Sequence, residues 1–170
     1  MPAPRLPYFV KYTRVFSWGA GRVRWNGYAN IFKANPNEIL EATNRIKAHR
    51  LTAPKGGNYG YLEGTVNNTV VNNKFWRSGT ALADEPKIFT AIEVEGAGGK
   101  TWLRTTDSEY KMLNKLASDL GGTTGSVKPN IIGEFKIVSE NPYCASCSGI
   151  IQQFNQMFPN VKLILVDGAK

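Results

Sequence analysis

Cysteine and histidine are scarce in this 170-residue chain, which has two of the first, Cys144 and Cys147, and one of the second, His49. Two thiols three residues apart cannot staple a fold of this size, so a disulfide-framed scaffold is excluded. No stretch of about 18 apolar residues occurs, which excludes a transmembrane helix. Residues 1–8 alternate proline with small and basic residues and are too polar for a signal peptide. Export is therefore expected to depend on a larger parent chain or on transport machinery. No internal repeat is visible. What remains is an ordinary hydrophobic fraction, 42%, in a length suited to one domain.

Basic charge is unevenly placed. The net charge is +8; residues 1–60 hold ten Lys and Arg against two acidic residues, whereas 61–170 hold eleven of each. A field of one sign attracts a polyanion and is weakened by salt. Arg14, Arg22, Arg24, Arg45, Lys47 and Arg50 are the candidate phosphate contacts, and a merely solvated basic surface is the plainer reading of the same residues. Aromatics are interleaved with the basic residues over 1–35, where Gly19, Gly21 and Gly27 break any long regular element.

Periodicity and punctuation predict the elements. A helix is expected over 38–50, with Ile39, Ala42, Ile46 and His49 on one side. Runs 59–66 and 69–77 flank Asn67-Asn68 and read as a hairpin. A third extended piece is expected over 88–95, followed by a glycine loop. A helix comes next, capped by Thr105 or Thr106, with Asp107 and Glu109 in its first turn and Met112, Leu113, Leu116, Ala117 and Leu120 as its apolar stripe. Residues 131–138 read as a buried strand. A second helix runs over about 144–157, with Ile150, Ile151, Phe154 and Met157 as its stripe, and residues 161–166 form a last strand. This order predicts an α/β layer arrangement with helices covering a sheet.

Two motifs carry candidate chemistry. Cys144 and Cys147 lie nearly one helical turn apart at a predicted helix start, where free backbone N–H groups favour thiolates. That spacing suits two metal ligands, a redox pair, or ordinary buried thiols. Asp107 and Glu109 open the preceding helix; acidic residues are common there, so this motif is weak alone. A strand joins the two helices, which favours both helix starts at one edge of the sheet, where ligands bind. One carboxylate, two thiolates and one further Glu would then meet, and three protein ligands plus water is the pattern of a catalytic zinc site.

The order acidic residue, x, Glu, then Pro-x-Cys-x-x-Cys resembles the zinc cytidine deaminase superfamily, whose usual pattern is H-x-E followed by P-C-x-x-C. The stretches GNYGYLEGTV, RTTDSEYKMLNKLA and SENPYCASCSGIIQQFNQMFPNVKL resemble, more narrowly, the deaminase domains of bacterial polymorphic toxins. The resemblance covers roughly 57–166. It implies a cytidine deaminase-like fold, a central mixed β-sheet flanked by helices, with the zinc site at the N-termini of two helices. Asp107 stands where His is commoner, and His49 is the one imidazole available as a substitute. Tyr143 is inserted between Pro142 and Cys144, which is expected to alter the approach loop more than the metal site. Many superfamily members carry a further helix and strand beyond the last predicted strand.

The resemblance also implies roles. Asp107, Cys144 and Cys147 would hold Zn²⁺, and Glu109 would move protons during hydrolytic deamination of cytosine to uracil. DNA is the favoured substrate, single-stranded slightly over double-stranded. Asn58 is expected near the base, Tyr59, Tyr61, Phe75 and Trp76 as stackers, Ser78 at the pocket mouth, and Thr106 beside the site or capping the helix. Packing within the fold is the commoner role for such strand aromatics. The chain is expected to be a monomeric single domain, residues 1–56 forming a basic extension and 57–166 the core. It would be delivered from a bacterium as part of a larger toxin, act in the target-cell cytoplasm, and require a cognate immunity protein. Action on RNA, adenine or a free nucleoside, and a non-catalytic zinc-containing nucleic-acid-binding domain, are the alternatives; a redox protein is another class.

Overall fold

The structure is a computed structural model that describes residues 30–79, 85–91, 93–95, 101–103, 107–143 and 145–169. Chain order is β1 (Ile31–Lys33), α1 (Pro36–Arg50), β2 (Tyr59–Val66), β3 (Thr69–Val70), β4 (Trp76–Arg77), β5 (Glu93–Glu95), β6 (Thr101–Leu103), α2 (Ser108–Asp119), β7 (Gly133–Ser139), α3 (Ala145–Met157) and β8 (Val161–Val166). Six strands form one mixed sheet in the order β1-β8-β7-β2-β3, with β4 also pairing to β2. β7 and β8 run parallel, as the intervening helix requires, and β2 runs antiparallel to β7.

Strand alternation divides the side chains between two layers. Leu62, Phe135, Ile137, Leu163 and Leu165 face α2 and α3, where they pack with Met112, Leu113, Ile150, Ile151 and Phe154. Tyr59, Tyr61, Val138 and Val166 face the other way, onto Ala42 and Ile46 of α1. The predicted stripes of α2 and α3 are buried, apart from the half-buried Leu120.

Helix α1 begins two residues earlier than predicted. Asn35 and Glu38 form a reciprocal capping box, and Pro36 occupies the first turn, where its missing N–H is no loss. Ile39, expected on the buried side, is 41% exposed, because α1 meets the sheet only along Ala42 and Ile46. β1 and α1 come from the segment read as an extension, and they lie on the sheet: β1 pairs parallel with β8.

The hairpin turn is where Asn67-Asn68 placed it, with both residues at positive φ, 50° and 62°. The returning strand differs from the continuous 69–77 run. Thr65 faces Val70, but Tyr59 faces Arg77, so one extra residue is accommodated between β3 and β4. The Asn72 side chain accepts from Lys74 N and bends the chain there. The extended piece over 88–95 is also only partly a strand. Ile88 N and Phe89 N donate to Asn114 Oδ1, and Thr90 bonds Gln153 through both its N–H and its carbonyl. Helix side chains thus replace a strand partner, and regular pairing is confined to β5 with β6.

Gly60 fixes how closely α2 approaches the sheet. A Cβ at Gly60 would stand 2.7 Å from the Val138 carbonyl oxygen and 3.3 Å from Met112 Cε, with Ser108 Oγ at 3.4 Å. A backbone oxygen cannot swing aside, so Gly60→Ala must push β2 from β7 or from α2. The expected loss is about 1–3 kcal/mol of stability, measured as a fall in the urea midpoint.

Candidate active site

Asn58 leads into β2, Ser139 ends β7, and Asp107 and Cys147 open α2 and α3, so four elements present polar side chains at one edge of the sheet. This edge is the carboxyl end of the parallel pair β7 and β8, a place where side chains from several elements converge.

Asp107 is itself the N-cap of α2, in place of the predicted Thr105 or Thr106, both of which, with Thr106's expected site role, lie outside the described residues. Its backbone is extended, yet its carboxylate makes no capping bond. An N-cap Asp ordinarily turns its oxygen onto the helix's own N–H groups. Here Asp107 Oδ2 instead lies 3.8 Å from the Cys147 thiol, in the first turn of α3. Tetrahedral zinc, with bonds of about 2.1 Å to oxygen and 2.3 Å to sulfur, holds such a pair about 3.6 Å apart. The spacing and the donor chemistry therefore fit a zinc ion. Cys144, the remaining predicted ligand, lies outside the described residues. Among the described residues no group of three His, Cys, Asp or Glu gathers as a metal site.

His49 is not positioned to replace Asp107. Its ring stacks on Phe75 at 3.8 Å and meets Tyr59 edge-on, in the layer facing α1. The sheet separates it from Cys147, which belongs to the layer facing α2 and α3.

Glu109 is 1% exposed. Asn58 Nδ2 donates to Glu109 Oε1 at 3.1 Å, and to Ser108 Oγ and Ser139 Oγ at 3.0 and 3.1 Å. Ser108 Oγ donates in turn to Glu109 Oε2 at 3.1 Å. Asn58 Oδ1 accepts from the Asn141 backbone N–H at 2.9 Å, and Asn58 N donates to Ser78 Oγ at 2.7 Å. Both Nδ2 hydrogens of Asn58 are thus used within the protein, where they orient Glu109. Ser78 supports that seat.

Burial pushes the Glu109 carboxyl above its ordinary value of 4.5; hydrogen bonding to Ser139 and its own backbone opposes this, and the Asp107 charge adds to it. Tyr143, the inserted residue, does not shape an approach loop. Its ring is buried at 3% exposure, its hydroxyl donates to the Ile137 carbonyl, and its N–H donates to Asp167 Oδ2 at 2.9 Å. The insertion is absorbed inward and anchors the β7–α3 turn. Burial, and then the neighbouring Glu109, raise the Tyr143 hydroxyl's pKa well above 10.0, so it stays a neutral donor.

The aromatic candidates separate. Tyr59, Tyr61 and Phe75 pack in the layer facing α1, which corrects their reading as base stackers. Trp76 lies on the α2 side, half-buried, with Lys74 Nζ 4.0 Å above its ring. The basic candidates divide as well. Arg45 lies 4.1 Å over the Tyr61 ring and bonds Glu63 and the Asn73 carbonyl. Arg50 binds Glu140 through two bonds. Both are engaged within the protein rather than presented to phosphate, whereas Lys47 is exposed. Arg14, Arg22 and Arg24 lie outside the described residues. Ser139, Glu140 and Asn141 were missed; their one signal was their position just before Pro142 in the motif block.

The family described as Toxin-deaminase, the BURPS668_1122 family of deaminases, matches residues 39–168. The chain belongs to this family. It is a deaminase toxin domain, and the match runs from within α1 past the end of β8, including every described residue of the candidate site. No curated protein and no solved structure matches the chain.

A buried carboxyl with a raised pKa destabilises the fold wherever the unfolded state is ionised and the folded state resists ionisation. In metal-free protein, Glu109→Gln is therefore expected to raise the melting temperature at pH 7. The gain should vanish as the pH falls below about 4.5, where the carboxyl is protonated in both states. Calorimetry of both proteins from pH 4 to 8 checks the sign.

Proposed function

We propose that this domain hydrolytically deaminates cytosine in nucleic acid, DNA in preference to RNA, as an interbacterial toxin that uses zinc. The observation that carries the reading is the buried Glu109 held beside the Asp107–Cys147 pair. Asp107, Cys147 and Cys144 are the residues that would hold zinc. When bound, zinc supplies a water acidified toward neutrality.

The protein's own groups account for the proton movements. Glu109 accepts a proton from the attacking water as its oxygen bonds C4, and delivers it to ring N3. A second proton passes through Glu109 to the amine, the C4–N bond breaks, and ammonia leaves uracil behind. A carboxyl whose burial raises its pKa is suited to carrying a proton between two such positions. Asn58, Ser108 and Ser139 keep it pointed, so that no reorientation is needed at each step.

Nucleic acid is favoured as substrate by the basic excess of the first third and by the exposed Lys47, and Trp76 is the stacking residue on the α2 side. A base within a duplex must be extruded to reach a buried carboxylate, which favours single strands. A cell making such an enzyme needs an immunity protein that covers this edge of the sheet. Among the described residues no helix is long and apolar enough to cross a membrane.

Purified, zinc-loaded protein incubated with matched single-stranded DNA, duplex DNA and RNA should leave uracil most abundantly in the single-stranded DNA, counted by sequencing. Glu109→Ala should stay folded, keep its zinc and lose deamination by more than about 100-fold. Retained activity would remove Glu109 from the chemistry; no uracil in any substrate, with fold and zinc intact, would turn the assignment to adenine or a free nucleoside. By metal analysis, Asp107→Ala and Cys147→Ala should each hold well under one equivalent of zinc, which checks the ligand assignment separately from activity.

A further inference from the structure

We infer that the Arg50–Glu140 ion pair is a positioning device for Glu109, acting across the sheet edge through Asn58. The inference rests on Glu109 being the proton carrier of the proposed reaction. Arg50 lies at the C-terminal end of α1, outside the layer that holds Glu109, and reaches the site through Glu140. Its guanidinium nonetheless joins the two backbone segments that form the seat of Asn58.

The first segment is the loop that delivers Asn58 to the sheet. Arg50 donates to the carbonyls of Pro54, Gly56 and Gly57, at 3.4, 3.1 and 2.9 Å. Gly56 and Gly57 both hold positive φ, 80° and 68°, a conformation with few side-chain contacts to maintain it. Arg77 binds the same loop from β4, at the carbonyls of Lys55 and Gly56. The second segment is 139–141. Glu140 takes both bonds from Arg50, and its neighbours supply the rest of the seat: Ser139 Oγ accepts from Asn58 Nδ2, and Asn141 N donates to Asn58 Oδ1. Glu140 also meets Tyr59, the residue after Asn58, through Glu140 N to Tyr59 O at 2.9 Å and Tyr59 N to Glu140 Oε1 at 3.4 Å.

The seat is thus assembled from two stretches distant in sequence, and one planar guanidinium bonds both. Arg50 Cζ also lies 4.6 Å over the Tyr59 ring, which fixes the plane of the fork. Glu140 is 8% exposed and the Arg50 side chain 27%, so the carboxylate end of the pair is the end shielded from competing water. Lys in place of Arg50 offers a single point of donors and cannot bridge a carboxylate and several carbonyls at once.

Three roles for Arg50 make different predictions on the zinc-loaded chain. As a positioning residue, Arg50→Ala lowers kcat roughly 10- to 100-fold, leaves KM and its salt dependence unchanged, and is only partly rescued by Lys. As a phosphate contact, Arg50→Ala raises KM and reduces the salt slope by about one, with kcat intact. As a purely structural residue, it lowers the melting temperature while the folded fraction turns over at the wild-type kcat. The milder Glu140→Gln, which keeps the shape but weakens the pair, should follow Arg50→Ala in direction if Arg50→Ala does not fold. Hydrogen exchange gives a reading that needs no activity: in both variants the Asn141 N–H and the Asn58 side-chain amide should lose protection while core amides of α2 and α3 keep theirs. Unchanged kcat or unchanged protection at these amides overturns the inference. A wild-type chain inactive on every substrate overturns the proposed reaction instead, and the exchange measurement still decides whether the pair holds the seat.

Discussion

The side-chain amide of Asn58 is the interaction on which the candidate site depends. Glu109 is buried, and a buried carboxylate is tolerated only where donors meet it. Asn58 supplies one such donor and joins Ser108, Ser139 and the backbone of Asn141 to the same group. Four residues, two from α2 and two from the end of β7 and the turn after it, therefore converge on a single amide. Gly60, two residues further on, removes the Cβ that would hold α2 away from that meeting point.

Opposite faces of the sheet have different tasks. One face, against α2 and α3, carries the Glu109 seat and the Asp107–Cys147 pair. The other, against α1, has a groove of about 340 Å³ lined by Glu41 of α1, Glu63 of β2, and Glu134 and Lys136 of β7. Lys136 pairs there with Glu38 and Glu63. Glu63 also pairs with Arg45, and Glu134 with Lys162, so the acidic side chains of this groove are matched by basic partners.

Much of the architecture was legible because its signals are local. The apolar stripes of α2 and α3 and the buried run of β8 are periodic in sequence, and their burial follows. The turn at Asn67-Asn68 was legible for the same reason, since Asn adopts positive φ more readily than most residues. The split of β3 from β4 was not, because it depends on the Asn72 side chain bending the chain between two short pairings with β2. Nor was the irregular backbone at 88–90, whose N–H groups find Asn114 and Gln153, residues 25 or more positions away.

The sequence by itself determined the kinds of group available for chemistry: two thiols, one acidic residue and one Glu at two helix starts joined by a strand. Motif spacing carries that information because a helix start and a connecting strand set direction locally. Only the tertiary structure decided which side chains serve the site and which serve the fold. Tyr59 and Phe75 looked like stackers, and Arg45 and Arg50 like phosphate contacts. Strand alternation turned the aromatics toward α1, and internal carboxylates and carbonyls took up the guanidinium groups. A residue type states what a side chain can bind; which partner lies within 3 Å is set by pairings between segments far apart in the chain, and no local pattern encodes them.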